Sequence, residues 1–304
     1  MAILTDIDNP GTRDTEAPRR GVGLCPLVLG ECVQGRFGAG SHFLITAPIN
    51  LYSHAEFVAD LSLGHVTVEP SHCVKSWRAV NQYLESQDLP VSGSLRVLTG
   101  EQHSLGFGTS TADITASLRA AAAAWNRTVT PEAVSRIAAA MEPTDGSMYP
   151  GSVAYAHREG RLLEILGPLP RFRALVAVCG DRVDTVAFDA RRAHFQYSAD
   201  AERKLRTAWR MVREAIRCAD IGLMAEAGTI SAEVNEVLLP KPMFNEIRQN
   251  VQPLGAEGLL VAHSGSLVGL ILDPDKPDYE QRRDRLGRFM DGLGMPCRLE
   301  VASY

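Results

Sequence analysis

The chain has 304 residues, 45% of them hydrophobic and 22% charged, enough for a substantial core and for two domains of ordinary size. Its mean hydropathy of -0.06 and the lack of an apolar run of bilayer length exclude a spanning membrane helix. A formal charge of -5 and a pI of about 5.9 give no electrostatic basis for binding a nucleic-acid backbone, so the expected partner is a small molecule or a protein.

The opening MAILTDIDNPGTRDTEAPRR has no charged n-region ahead of an apolar stretch; no secretory signal is read there, and residues 1–20 are expected to be a disordered leader. Cys25, Cys32, Cys73, Cys179, Cys218 and Cys297 lie far apart, without the pairs of a zinc site, and are expected to be reduced thiols of a cytoplasmic protein. From Gly21 to about Pro70, β-branched and aromatic residues broken by glycines predict several strands, with FGAGS as a hairpin turn. Ser71–Gln87 places Val74, Trp77, Val80, Tyr83 and Leu84 at helical spacing, with Ser71 as the cap. SLRVLTG alternates as a strand, LGFGTSTADITASLRAAAAAW is a glycine turn followed by an alanine-rich helix, and TPEAVSRIAAAM is a helix with Thr130 as cap and Pro131 in its first turn.

After the loop EPTDGSMYPG, SVAYAHREGRLLEIL predicts a hairpin and RALVAVCG a strand. Ala199–Ala227 predicts one long amphipathic helix, SAEVNEVLL and MFNEIRQNV shorter ones, EGLLVAHSGSLVGLIL a strand and glycine turn, DYEQRRDRLGRFMDGLG a last helix and CRLEVAS a last strand. Helices and strands without regular βαβ alternation predict an α+β fold, with a boundary between about Gly160 and Arg173.

Three segments carry chemistry. Gly106 and Gly108 permit unusual dihedrals and close approach to a ligand, and Thr109, Ser110 and Thr111 lead into a helix whose N-terminus presents unpaired N–H groups. That combination suits a phosphate; an ordinary capped helix start fits the same residues. A Walker loop is absent, since the turn has no GK[ST], and Gly106, Gly108 and Thr111 do not complete GxGxxG. In MEPTDGSMYPG, Glu142 and Asp145 stand three residues apart. Beside the glycine turn they would serve phosphoryl transfer, Ser110 and Glu142 holding a divalent cation and Asp145 facing the acceptor alcohol; alone they read as a solvated acidic turn. In VAHSGSLVGLIL, Ser264, Gly265, Ser266 and Gly269 allow close approach to substrate or phosphate, or form a tight hairpin. The histidines show no HExxH or paired metal spacing; His263, within the third segment, has either a pocket or a packing role.

In this order, and with PLVLGECVQGR at Pro26–Arg36, the segments resemble the GHMP kinases, the superfamily of galactokinase, homoserine kinase, mevalonate kinase and phosphomevalonate kinase. GFGTST is similar to that family's GLGSSA phosphate loop, with Phe107 for Leu and Thr109 for the first Ser. The family's upstream proline and following alanine are replaced by Glu101–Ser104 and Thr111. GECVQGR, ITAPINLYS, STAD, EPTD and AHSGSLVGL are most similar to the subgroup that phosphorylates L-threonine in cobalamin biosynthesis.

The resemblance implies a ribosomal-S5-like N-terminal domain over residues 21–167, a ferredoxin-like C-terminal domain over 168–304 and ATP between them. Gly106, Phe107, Gly108, Thr109, Ser110 and Thr111 would bind ATP. Ser110 and Glu142 would hold Mg²⁺, and Asp145 would be the base or an orienting group. Glu31, Gln34, Asn50, Asp145, Ser264 and Gly265 are the substrate candidates, because an amino-acid zwitterion needs an acceptor for its ammonium and donors for its carboxylate. Glu31 equally suits an ion pair with Arg36, and Asp113 either touches metal or substrate or complements the helix dipole. The expected activity is transfer of phosphate from ATP to the side-chain hydroxyl of L-threonine. Homoserine or serine as acceptor, or a non-catalytic nucleotide-binding regulator, are the alternatives. A homodimer is left open; nucleic acid and membrane are not expected partners.

Overall fold

The computed structural model describes residues 19–98, 106–178, 195–238, 240–295 and 297–304. Most of the expected leader, the end of the SLRVLTG strand, Glu101–Ser104 and Cys179 lie outside the described residues. Strand β1 (Arg19–Arg36) takes in the last two leader positions and pairs antiparallel with β2 (His42–Ala59). The turn between them is the FGAGS segment, closed by a 2.9 Å bond from Gly40 N–H to the Phe37 carbonyl. These two strands of 18 residues each account for most of what the sequence divided into several. The β1–β2 register shifts on both sides of Gly30, whose φ of +123° suits a residue without Cβ.

Next come β3 (Val66–Glu69), α1 (Val74–Ser86), β4 (Gly93–Leu98), α2 (Thr109–Ala124), α3 (Pro131–Ala139), β5 (Ser152–Ala156), β6 (Arg161–Gly167) and β7 (Arg173–Val178). The chain finishes with α4 (Ala199–Cys218), α5 (Ile221–Asn235), α6 (Phe244–Leu254), β8 (Gly258–Val261), β9 (Leu267–Leu272), α7 (Tyr279–Gly292) and β10 (Cys297–Ala302). The described strands form one ten-stranded sheet in the order β10-β7-β9-β8-β1-β2-β4-β3, with β5 on β2 and β6 on β5. Only β3–β4 is parallel among these pairings. A single residue pair, Glu31 with Val261, joins β1 to β8. The mixture is α+β, as the pattern predicts.

The alanine-rich helix α2 is buried on nearly every side. It lies against the glycines that open β1: a methyl built on Gly21 would fall 2.2 Å from the Ala120 carbonyl oxygen, and one on Gly23 2.0 Å from that of Ala116. Helix and strand backbones reach this separation because neither side carries more than a small side chain. One core cluster contains Phe43, Ile45, Phe57, Leu95 and Tyr155 around α2; a second, with Leu175, Leu259, Val268, Leu270, Leu286 and Met290, packs β7–β9 against α7.

Two local readings need correction. The long helix expected over Ala199–Ala227 is broken at Ala219, which is left-handed (φ 54°), and restarts where the Asp220 side chain accepts from Leu223 N–H at 2.9 Å. Local capping by aspartate thus wins over continuous periodicity, and SAEVN (Ser231–Asn235) is the end of α5 rather than a helix of its own. Helix α1 is preceded by Cys73 with no side-chain cap bond, and Ser71 lies outside it. Its buried stripe is Ser76, Ala79, Val80, Tyr83 and Leu84; Val74 and Trp77 are more exposed, with Trp77 Nε1 donating to the Val66 carbonyl at 2.8 Å. Among the described residues no helix is long and apolar enough to cross a membrane, and Cys25, Cys32, Cys73 and Cys218 are free thiols.

The β1–α2 contact sets a stability expectation. Gly23→Ala is expected to destabilise the fold by about 1–3 kcal/mol through overpacking. In contrast, Gly287→Ala in α7, where an added methyl meets nothing within 4 Å, is expected to stabilise it by about 0.5–1 kcal/mol. Urea unfolding of the two variants checks the contrast.

Candidate functional site

Packing of α2 against β1 fixes where the glycine turn points. Gly106 and Gly108 both have positive φ, +109° and +65°, and Gly108 precedes the first residue of α2 without any side-chain cap bond. The first-turn N–H groups of a largely buried helix therefore face the pocket with the positive end of its dipole. Phe107 does not line the pocket; it is a core anchor, 2% exposed, and its carbonyl accepts from Val28 N–H at 3.0 Å. A methyl on Gly106 would lie 2.8 Å from Ala262 Cβ and 2.9 Å from Gly265 Cα. A methyl on Gly108 would lie 2.6 Å from Asp145 Oδ2. The glycines are thus where the turn, the AHSGS segment and the EPTD loop come together, three stretches widely separated in sequence.

Ser110 Oγ donates to Glu142 Oε1, and Lys75 Nζ, from the first turn of α1, donates to Glu142 Oε2. Thr111 Oγ1 lies 2.8 Å from Thr144 Oγ1 and accepts from Asp145 N–H at 3.3 Å, so the second and third residues of α2 both bind the EPTD loop. Thr144 N–H also donates to the His157 carbonyl at 3.0 Å. Behind the loop, Arg119 of α2 donates to the Leu24 carbonyl at 2.6 Å and to the Met148 carbonyl at 2.9 Å. Cys25, whose thiol burial pushes up to about 12, donates to the Ser147 carbonyl at 3.5 Å. Ser147 N–H in turn donates to Asp145 Oδ1 at 2.9 Å.

Asp145 is 8% exposed. Burial pushes its carboxyl above the usual carboxylate range, while hydrogen bonds from Ser147 and Thr111 pull the other way and Glu142 adds to the rise. This is the environment of a carboxylate poised to exchange a proton. Asp113, also buried, accepts from Ser53 Oγ at 2.6 Å, which ties α2 to β2.

The cavity between these elements holds about 460 Å³, within the range of small-molecule sites. Gly106, Gly108, Thr109, Ser110, Thr111, Glu142, Asp145, Glu31, Ser264 and Gly265 all line it. Two of the substrate candidates, like Phe107, are not among its lining residues. Gln34 is buried beside the pocket, its Oε1 accepting from His263 Nδ1 at 2.8 Å. Asn50 is not among the lining residues; its Oδ1 accepts from Ala302 N–H at 2.9 Å, tying β2 to β10. His263 lines the cavity edge-on to His157, with ring centroids 4.8 Å apart. His72, Cys73, Lys75 and His157 also line the wall and were not singled out as site residues from the sequence. They stand at an uncapped helix start and just past a strand end, where no motif marks them.

The oxygen donors Ser110 and Glu142 suit a hard divalent cation. Among the described residues no three His, Cys, Asp or Glu side chains form a metal cage, and Mg²⁺ needs none, since it takes one or two protein oxygens with phosphates and waters.

Residues 73–153 match the family model "GHMP kinases N terminal domain", a span that runs from α1 through the glycine turn and the EPTD loop. The chain is 28% identical to the L-threonine kinase of Citrobacter freundii over 263 residues, 85% of this chain and 88% of the relative. It is also 28% identical to that of Salmonella typhimurium over 271 residues, 87% of each. Among solved structures, homoserine kinase from Cytophaga hutchinsonii superposes with a TM-score of 0.70 at 13% identity, covering 97% of both chains. The mevalonate kinase of L. major, in complex with R-mevalonate, superposes with a TM-score of 0.64 at 17% identity, covering 98% of both.

The raised carboxyl of Asp145 has a signed consequence. The folded chain holds this proton more tightly than the unfolded one, so the group withdraws stability as pH rises from its unfolded to its folded pKa. Asp145→Asn is expected to be more stable than the parent at neutral pH and to lose that advantage below about pH 4, where both states are protonated. Urea titrations across that range test the sign; a less stable variant at neutral pH would mean that the site stabilises the charged form. Residues 73–153 are thus similar to the N-terminal domain of the GHMP kinases, and the chain as a whole shares the fold of the homoserine and mevalonate kinases that superpose on it.

Proposed function

We propose that this chain, an ATP-dependent small-molecule kinase, transfers the γ-phosphoryl group of ATP to the side-chain hydroxyl of L-threonine, giving L-threonine O-3-phosphate and ADP. The observation that carries the reading is the contact of Ser110 with Glu142 at the uncapped start of α2, with Asp145 against Gly108 in the same pocket. Threonine as acceptor is favoured by two relatives of that activity that align over most of this chain. The halves of the proposed enzyme divide at 167/168.

The first-turn N–H groups of α2 and the Gly106–Gly108 backbone bind the polyphosphate, supplying fixed positive charge where negative charge accumulates. Ser110 and Glu142 would hold Mg²⁺, which when bound supplies further neutralisation of the phosphate oxygens. Asp145, anchored through Oδ1 by Ser147 N–H, orients the threonine hydroxyl and takes its proton. The alcohol oxygen forms the new bond to phosphorus as the bond from the γ-phosphorus to the bridging oxygen breaks, and ADP leaves with that electron pair. Glu31, buried at the same pocket, suits the substrate ammonium, and Ser264 and Gly265 line the approach. Positioning and charge contribute most of the rate.

The test is ³¹P detection of product with L-threonine, L-homoserine and L-serine as acceptors. Threonine phosphate is expected with the highest kcat/KM; a preference for homoserine would overturn the acceptor assignment, and no product from any of the three would overturn the amino-acid reading. Ser110→Ala and Glu142→Ala are each expected to lower kcat by about 10²–10³-fold with unchanged unfolding midpoints. Turnover like that of the parent in both would exclude them from the phosphoryl-transfer site.

A further inference from the structure

Both carboxylate oxygens of Glu142 are engaged: Oε1 by the Ser110 hydroxyl and Oε2 by the Lys75 ammonium. The two partners differ in kind. Ser110 belongs to the first turn of the buried helix α2 and is an oxygen donor that can share a cation with Glu142. Lys75 comes from α1, 67 residues away in sequence. Its side chain is 49% exposed where that of Glu142 is 7% exposed. A cation placed between Ser110 and Glu142 would stand beside an ammonium already neutralising the same carboxylate, and like charges at that range repel. Lys75, on a flexible four-carbon stem with its head in the pocket, is the group able to yield. The destination is in the same cavity, whose wall includes Lys75 and the first turn of α2.

We propose that Lys75 is a displaceable counter-charge: it neutralises Glu142 in the nucleotide-free protein and moves to the polyphosphate when nucleotide and divalent cation arrive together. This rests on the reading of Ser110 and Glu142 as the cation site. Its consequence is ordered loading. The free cation must compete with an ammonium for Glu142, whereas a nucleotide carrying its cation supplies the negative charge that draws Lys75 away. The device thus selects the metal–nucleotide complex over the bare ion. A lysine that only pinned α1 to the EPTD loop would produce no such opposition between the two affinities.

The experiment measures Mn²⁺ binding to the nucleotide-free protein by EPR, and binding of a non-hydrolysable ATP analogue with Mg²⁺ by calorimetry, for the parent, Lys75→Met and Glu142→Gln. Lys75→Met is expected to bind Mn²⁺ alone about tenfold more tightly and the metal–nucleotide analogue about tenfold more weakly. Glu142→Gln is expected to lose the Mn²⁺ site. If Glu142→Gln loses it while Lys75→Met leaves Mn²⁺ affinity unchanged or lowers both affinities, the counter-charge role is overturned and the cation site stands. If Glu142→Gln binds Mn²⁺ as the parent does, the cation-site reading itself falls.

Discussion

The close packing of two glycines in β1 against the alanine-rich face of α2 governs the geometry of this molecule. A strand and a helix whose backbones come this near have little freedom to slide or rotate, so the direction of α2 is set by the central sheet. The helix N-terminus, the working end of the proposed kinase, inherits that rigidity. Its first-turn side chains, Ser110 and Thr111, then determine where the EPTD loop sits, because both bond to it. A site made from a loop becomes as well positioned as one made from the core.

The electrostatics follow from the same arrangement. Helix dipole and exposed N–H groups give one wall a fixed positive character, while Glu142 and Asp145 bring negative charge to the other. The two carboxylates stand three residues apart yet have different surroundings. Glu142 is held by a hydroxyl and an ammonium. Asp145 is enclosed, its proton affinity raised by burial, and oriented by a backbone N–H. One is suited to a cation and the other to a proton, a separation of roles made by environment rather than residue type.

Much of this was legible in the chain because it depends on local chemistry. Positive φ at Gly106 and Gly108 is what glycine at a bare turn before a helix suggests, and Thr130 caps α3 as its position indicates. The partnership of Ser110 with Glu142 also followed from residue type and from the order of the segments. What escaped depends on tertiary placement. Lys75, His72 and His157 reach the pocket only because α1 and the end of β5 are folded against it, and no spacing encodes that. Asn50, chosen as a donor for substrate, is instead used by the backbone of β10. The break between α4 and α5 was missed because Asp220 works as a cap inside a run that otherwise keeps helical composition.

The central claim is that a nucleotide polyphosphate rests on the N-terminus of α2 with a divalent cation between Ser110 and Glu142. A crystal structure grown with a non-hydrolysable ATP analogue and Mn²⁺, with anomalous data collected for manganese, tests it most directly. The expected result is an anomalous peak within coordination distance of Ser110 Oγ and a Glu142 carboxylate oxygen, with the γ-phosphate facing Asp145. A polyphosphate bound away from Gly106–Thr111, or manganese bound by other side chains, would contradict it.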